Sequence, residues 1–137
     1  MINLVEKVIL SVNRKIKNSD QYFVVNVILT NHGRDRKSRQ GFSYIKNTPV
    51  KEIMRKNATE ILKYALKNKI RQKQFGERTK GKRLVIRDLR SGINFVVALE
   101  FVRESQDFLN LNIVIISMIK GENFNNIHNT PELVISL

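Results

Sequence analysis

Residues 111–119, Leu-Asn-Ile-Val-Ile-Ile-Ser-Met-Ile, are apolar on both sides of an extended chain. Successive side chains of a strand point to opposite faces. A segment apolar on both must be covered on both, which predicts a central strand of a sheet rather than an edge. Ile93 to Val102 reads differently: Ile93, Phe95, Val97, Leu99 and Phe101 fall on one face, the alternation of a neighbouring, half-covered strand. Leu84 to Asp88 is a shorter strand, and Asp88-Leu89-Arg90-Ser91-Gly92 supplies turn residues between the two. Tyr22 to Leu29, apolar and β-branched, predicts one more strand.

Helical spacing appears twice. Thr48-Pro49 starts the clearer case, with threonine as N-cap and proline at the first helical position. From there Ile53, Met54, Ala58, Ile61, Leu62, Ala65 and Leu66 form an apolar stripe opposite Lys51, Arg55, Lys56, Lys63 and Lys67. Residues 2–17 place Leu4, Val5, Val8, Val12 and Ile16 at similar spacing, with Glu6, Lys7, Asn13, Arg14 and Lys17 between them, which predicts an amphipathic helix; their β-branched content leaves a strand open. The expected order is helix, strand, short helix, long helix and three strands. That is an α+β domain with helices packed on one face of an antiparallel meander. A single domain over 1–124 is expected, with an N-terminal helix in 1–20 and a core in 22–124. Residues 125–137 read as an irregular tail closing with a short strand at Leu133 to Leu137.

The chain has 137 residues, 42% of them hydrophobic, enough for one core and too few for two. It has no cysteine, which removes disulfides, thiolate chemistry and most zinc sites. Two histidines without a carboxylate cluster leave no visible metal site. No apolar run reaches the length of a membrane span, and Met1 to Leu10 lacks the order of a signal peptide. A cytoplasmic protein is expected. Against this plain background stand 25 Lys+Arg and 12 Asp+Glu, a formal charge of +13. A charge of that size suits a polyanionic partner, most often nucleic acid; an acidic protein partner or a solubilising surface are the alternatives.

Two stretches concentrate the chemistry. Thr30-Asn31-His32-Gly33-Arg34-Asp35-Arg36-Lys37-Ser38-Arg39-Gln40-Gly41-Phe42 holds one of the two histidines. On a helix, His32, Arg36 and Arg39 at i, i+4 and i+7 share one face, and together they suit a phosphate and a proton transfer. Residues 69–83 are the most basic segment, with Lys73, Arg78, Lys80, Lys82 and Arg83, broken by Gly76 and Gly81 and read as a loop or a loosely held hairpin end. The spacing Gly76 to Gly81-Lys82 imitates a phosphate loop. Arg83 stands where Ser or Thr should hold magnesium and no strand precedes it, so a nucleotide triphosphatase is rejected.

The pattern His32-x-x-x-Arg36-x-x-Arg39-x-Gly41-Phe42, followed by helix and meander, resembles the RelE-like superfamily, the broad group that includes barnase, EndoU and the colicin nucleases. It looks most similar to phage and prophage members, the RegB endoribonucleases among them, through His32-Gly33-Arg34-Asp35-Arg36. Lys82 to Asp88, Asn112 to Lys120 and Lys120-Gly121-Glu122-Asn123-Phe124 resemble the family's strands and the stretch after the last of them. The resemblance spans roughly residues 22 to 124. It implies metal-independent RNA cleavage without a cofactor, in which the ribose 2′-hydroxyl attacks the adjacent phosphorus. His32 would be the base, Arg36 and Arg39 would hold the phosphate, and Arg87 and Lys120 would stabilise charge or supply the acid. Arg34, Arg39, Lys73, Arg78, Lys80, Lys82 and Arg83 would contact RNA. An acidic, antitoxin-like inhibitor is the implied protein partner. RegB carries a second histidine on the following helix; the matching region here, around Glu52, has none, and His128 does not correspond. The acid role then falls to Lys120, Glu52 or Arg87.

Each residue also has a plain structural role open to it. His32 can cap a helix or bond within the core. Arg36 and Arg39 can pair with Asp35 or Glu52, Arg87 with Asp88 or Asp107, and Lys120 can guard a strand edge. Tyr22, Tyr44 and Phe75 can stack on bases or pack in the core. The alternative function is a basic binding domain on the same fold that performs no chemistry.

Overall fold

The computed structural model describes residues 3–14, 19–29, 47–70, 72–74, 81–103, 108–121 and 129–136. Among the described residues there are seven strands and one helix: β1 (Asn3–Arg14), β2 (Ser19–Leu29), α1 (Asn47–Lys67), β3 (Gln72–Gln74), β4 (Lys82–Asp88), β5 (Ile93–Arg103), β6 (Phe108–Lys120) and β7 (Glu132–Ile135). The fold is α+β, with one sheet in the order β1-β2-β6-β5-β4-β7 and β3 alongside β5.

β6 lies inside the sheet between β2 and β5, where its two apolar faces require it to be. β5 buries Ile93, Phe95, Val97, Leu99 and Phe101, the predicted face. These join Phe23, Val25, Val27 and Leu29 of β2, Leu84 and Ile86 of β4 and Leu111, Ile113 and Ile115 of β6 in one hydrophobic cluster. The helix contributes Val50, Met54, Ala58, Ile61, Leu62 and Ala65 to the same cluster. Burying each large aliphatic side chain stabilises by about 1.5–3 kcal/mol relative to exposure. Thr48 and Pro49 fall in the first turn of α1, close to the expected start.

Three expectations are corrected. Residues 3–14 are not helical: they form a strand antiparallel to β2, with a bulge between Leu4 and Glu6. The helical spacing of Leu4, Val5, Val8 and Val12 competes with the alternation Val8, Leu10, Val12, and pairing with β2 decides for the strand. The sheet is mixed, not an antiparallel meander: β2 runs parallel to β6, β3 to β5 and β4 to β7, while the other three pairings are antiparallel. The basic segment is not all loop, since it holds β3 and the start of β4. The tail does close with a strand, at Glu132–Ile135.

The parallel β2–β6 pair carries its own register device. The Asn26 amide donates to Asn110 Oδ1 at 3.2 Å and to Asn112 Oδ1 at 2.9 Å, and Asn112 donates to Glu100 Oε1 at 3.2 Å. A one-residue slip would break this row, so it specifies a pairing that apolar side chains alone define poorly.

Candidate functional site

The end of the sheet where β4 turns into β5 gathers polar groups from four strands. Asp88 Oδ2 accepts from Ser91 N at 3.2 Å, Gly92 N donates to Asp88 O at 2.9 Å, and Ser91 Oγ accepts from Ile93 N at 3.1 Å. Gly92 sits at φ +75°, a conformation glycine takes without penalty. The turn is thus fixed by its own sequence, as Asp88-Leu89-Arg90-Ser91-Gly92 predicts. Two further bonds tie it to its neighbours: Leu89 N donates to Ile135 O at 3.2 Å, and Gly121 N to Gly92 O at 3.0 Å.

This tied end forms one wall of an open cleft of about 400 Å³, whose lining includes Arg87, Asn94, Lys120, Leu89 and Val134. By register, Arg87 pairs with Asn94 across β4–β5 and Asn94 with Ile119 across β5–β6, while Lys120, the next residue, pairs with Ile93 and leaves its strand on the opposite face, at the strand's end. Asn94 is 7% exposed and donates to Ile119 O at 3.0 Å and Gly121 O at 3.1 Å, the carbonyls on either side of Lys120. Lys120 itself is exposed. Arg87 Nε lies 3.2 Å from Glu132 Oε1 on β7, with both side chains about one-third exposed (35% and 34%). A pair so open to solvent contributes about 0–1 kcal/mol; its larger effect is to place a carboxylate beside the guanidinium.

A second, smaller cleft of about 230 Å³ adjoins the first, between the start of α1 and the same turn. Glu52, Lys56, Asn57 and Arg90 line it, and Asp88 and Ser91 belong to both clefts. Asp88 is 3% exposed, and its Oδ1 has no hydrogen-bond partner among the described residues.

Of the expected site residues, Arg87 and Lys120 are brought together. Lys82 and Arg83 lie exposed at the start of β4, in register with Leu99 and Ala98 and away from the cleft. Lys73 lies in β3 beside Val102. His32, Arg34, Arg36, Arg39, Arg78 and Lys80 lie outside the described residues, as do Tyr44, Phe75, Asp107 and His128. Arg87 forms an ion pair with Glu132; the expected pairing with Asp107 falls on a residue outside those described. Glu132 was hidden in a stretch read as tail, because the parallel β4–β7 pairing has no local signature. Asn94 had a signal: it is the one amide on the far side of the alternating run Ile93 to Val102.

Among the described residues no three His, Asp or Glu side chains gather as a metal site, and no helix is long and apolar enough to cross a membrane. No protein-family model, curated protein or solved structure matches the chain.

Proposed function

We propose that this protein binds RNA at the β4–β5 end of its sheet and cleaves it as a metal-independent endoribonuclease of the RelE-like kind. The observation that carries the reading is the meeting of Arg87 and Lys120, from separate strands, in one open cleft. Two basic residues lining one cleft supply positive charge for an oxyanion whose charge grows during reaction. The formal charge of +13 suits a polyanionic substrate.

The chemistry follows from the resemblance of His32-Gly33-Arg34-Asp35-Arg36. His32 accepts the 2′-hydroxyl proton as the 2′ oxygen bonds to phosphorus. Arg36, Arg39 and Arg87 stabilise the charge on the non-bridging oxygens. The bond to the 5′ oxygen breaks, that oxygen takes a proton from Lys120, and a cyclic phosphate and a 5′-hydroxyl remain. A phage or prophage setting, a cytoplasmic location and an acidic inhibitor protein belong to the same reading.

A second reading has its own observation. The carboxylate of Glu132 beside Arg87 offsets the charge a reacting phosphate would need there, as suits a basic domain that performs no chemistry at this cleft and binds nucleic acid or an acidic protein through the rest of its basic surface. The separating experiment is cleavage of mixed cellular RNA in EDTA by wild type, His32→Ala and Lys120→Ala. Cyclic-phosphate ends from wild type, strongly reduced by both substitutions, support the nuclease. Salt-sensitive binding without cleavage by any of the three moves the conclusion to the binding domain.

A further inference from the structure

The two edges of the sheet are built differently. One edge is β7, only 4 residues long, with Pro131 directly before it and Glu132 as its first residue. A short, charged edge strand next to a proline discourages the addition of another strand. The other edge is β1, 12 residues long and without proline or glycine. Among the described residues it pairs with β2 alone. Its irregularity, the bulge between Leu4 and Glu6, lies near its start, and from Glu6↔Val27 to Arg14↔Ser19 the register is unbroken. In an antiparallel pair, residues that turn their N–H and C=O toward the partner alternate with residues that turn theirs away. From Glu6 to Arg14, β1 therefore presents a regular outward row of donors and acceptors.

That row sets the chemistry of an occupant. A phosphate backbone offers acceptors only and leaves the carbonyls of the edge unmatched. An extended peptide backbone matches both kinds of group. Charge then selects the peptide. The helix α1 packs against β1, and it exposes Lys51, Arg55, Lys56, Lys63 and Lys67 against two carboxylates, Glu52 and Glu60. A second copy of the chain would bring one formal charge of +13 against another, and like charges set against each other disfavour that pairing. An acidic strand is attracted instead. Its residues at i, i+2 and i+4 would all stand on the side of the sheet that carries α1.

We propose that the outer edge of β1, from Glu6 to Arg14, takes an extended segment of an acidic partner protein as an additional strand, with Asp or Glu at every second position on the side of α1. The proposal rests on the sheet's edge and not on the cleft or on RNA cleavage.

The test uses the full chain and a fluorescent peptide of alternating Glu and Val, as long as β1, titrated by anisotropy at low salt. The peptide is expected to bind and to slow amide exchange at every second residue of β1, where outward N–H groups gain a partner. The same peptide N-methylated at two adjacent central residues loses one donor from each of its edges and keeps its charge. It should bind roughly tenfold weaker. An analogue of alternating Lys and Val should not compete. Equal binding of the N-methylated peptide would reduce the interaction to charge and overturn the strand addition. Failure of the Glu and Val peptide to bind, or amide protection anywhere but β1, would overturn it as well. Protection of β1 that grows with protein concentration in the absence of peptide would assign the edge to a second copy, and the same protection produced by single-stranded RNA would assign it to nucleic acid; either result sinks the proposal. None of these readouts involves cleavage, so a failure of the nuclease reading is seen separately.

Discussion

The side-chain amide of Asn94 donates to the carbonyl of Gly121 at 3.1 Å and, on the other side of Lys120, to that of Ile119 at 3.0 Å. One buried nitrogen on β5 thus holds both peptide groups that flank the lysine. Asn94 is also the register partner of Arg87, so one residue links the backbones of the two strands that carry Arg87 and Lys120.

Replacing Asn94 with alanine removes both bonds and leaves carbonyl oxygens short of partners. The expected loss of stability is about 1–3 kcal/mol, read from urea unfolding. The expected loss of RNA affinity should not add to that of Lys120→Ala in a double-mutant cycle, since both act through the same lysine. Full additivity would show that Asn94 supports the fold alone.

Glu132 opposes whatever Arg87 binds. Glu132→Gln removes one negative charge at the mouth of the cleft while keeping the side chain's shape. Stability should change by no more than about 1 kcal/mol, because the ion pair is partly solvated. RNA affinity should rise, and the slope of log K against log salt should steepen by about 0.7, one more phosphate neutralised on a single strand. Fluorescence anisotropy across a salt series reads both; an unchanged slope would place the RNA elsewhere on the surface.

Asp88 has a different vulnerability. Its Oδ2 caps the turn through Ser91 N, while Oδ1 is buried without a partner among the described residues. Asp88→Asn keeps an oxygen for the cap and replaces a charged group by a neutral one. It should unfold at a denaturant concentration equal to or above that of wild type, since a buried carboxylate with one oxygen lacking a partner among the described residues costs more than an amide. Asp88→Ala loses the cap and should unfold earlier, by about 1 kcal/mol. An Asn variant as weak as the Ala variant would mean that the charge itself is needed.

Two glycines separate conformational strain from crowding. Gly92 has φ +75° and open space where a Cβ would stand, so Gly92→Ala should cost only the left-handed backbone penalty, about 1–2 kcal/mol. At Gly81 a Cβ would stand 2.8 Å from the carbonyl oxygen of Leu99 on β5, and backbone would have to move. Gly81→Ala should therefore destabilise by at least as much and loosen the start of β4, seen as faster amide exchange at Arg83 and Leu84.

Much of this architecture is legible where the cause is local. The continuous apolar run Leu111 to Ile119 predicts the interior strand, since positions away from the sheet's rim are the most shielded; Leu111, Ile113, Ile115 and Met118 are buried, and Val114 and Ile116 on the other face are half-buried. The stripe from Ile53 to Leu66 predicts the helix, and Asp88 to Gly92 predict a turn that their own hydrogen bonds then make. The N-terminal strand is not legible in the sequence because its residues satisfy two periods at once, and the partner that chooses between them, β2, acts through pairing rather than through propensity.

What the sequence determined by itself is the burial pattern, the basic charge and the residue types from which a phosphate site can be made, since each depends on side chains alone or on neighbours a few positions away. Only the tertiary structure decided that β2 runs parallel to β6, that β7 brings Glu132 to Arg87, and that Arg87, Asn94 and Lys120 share one end of the sheet. Those are contacts between residues distant in sequence; Asn26 and Asn112 are 86 positions apart. Their strands are brought together when the core closes, through backbone hydrogen bonds that any residue except proline can make in full.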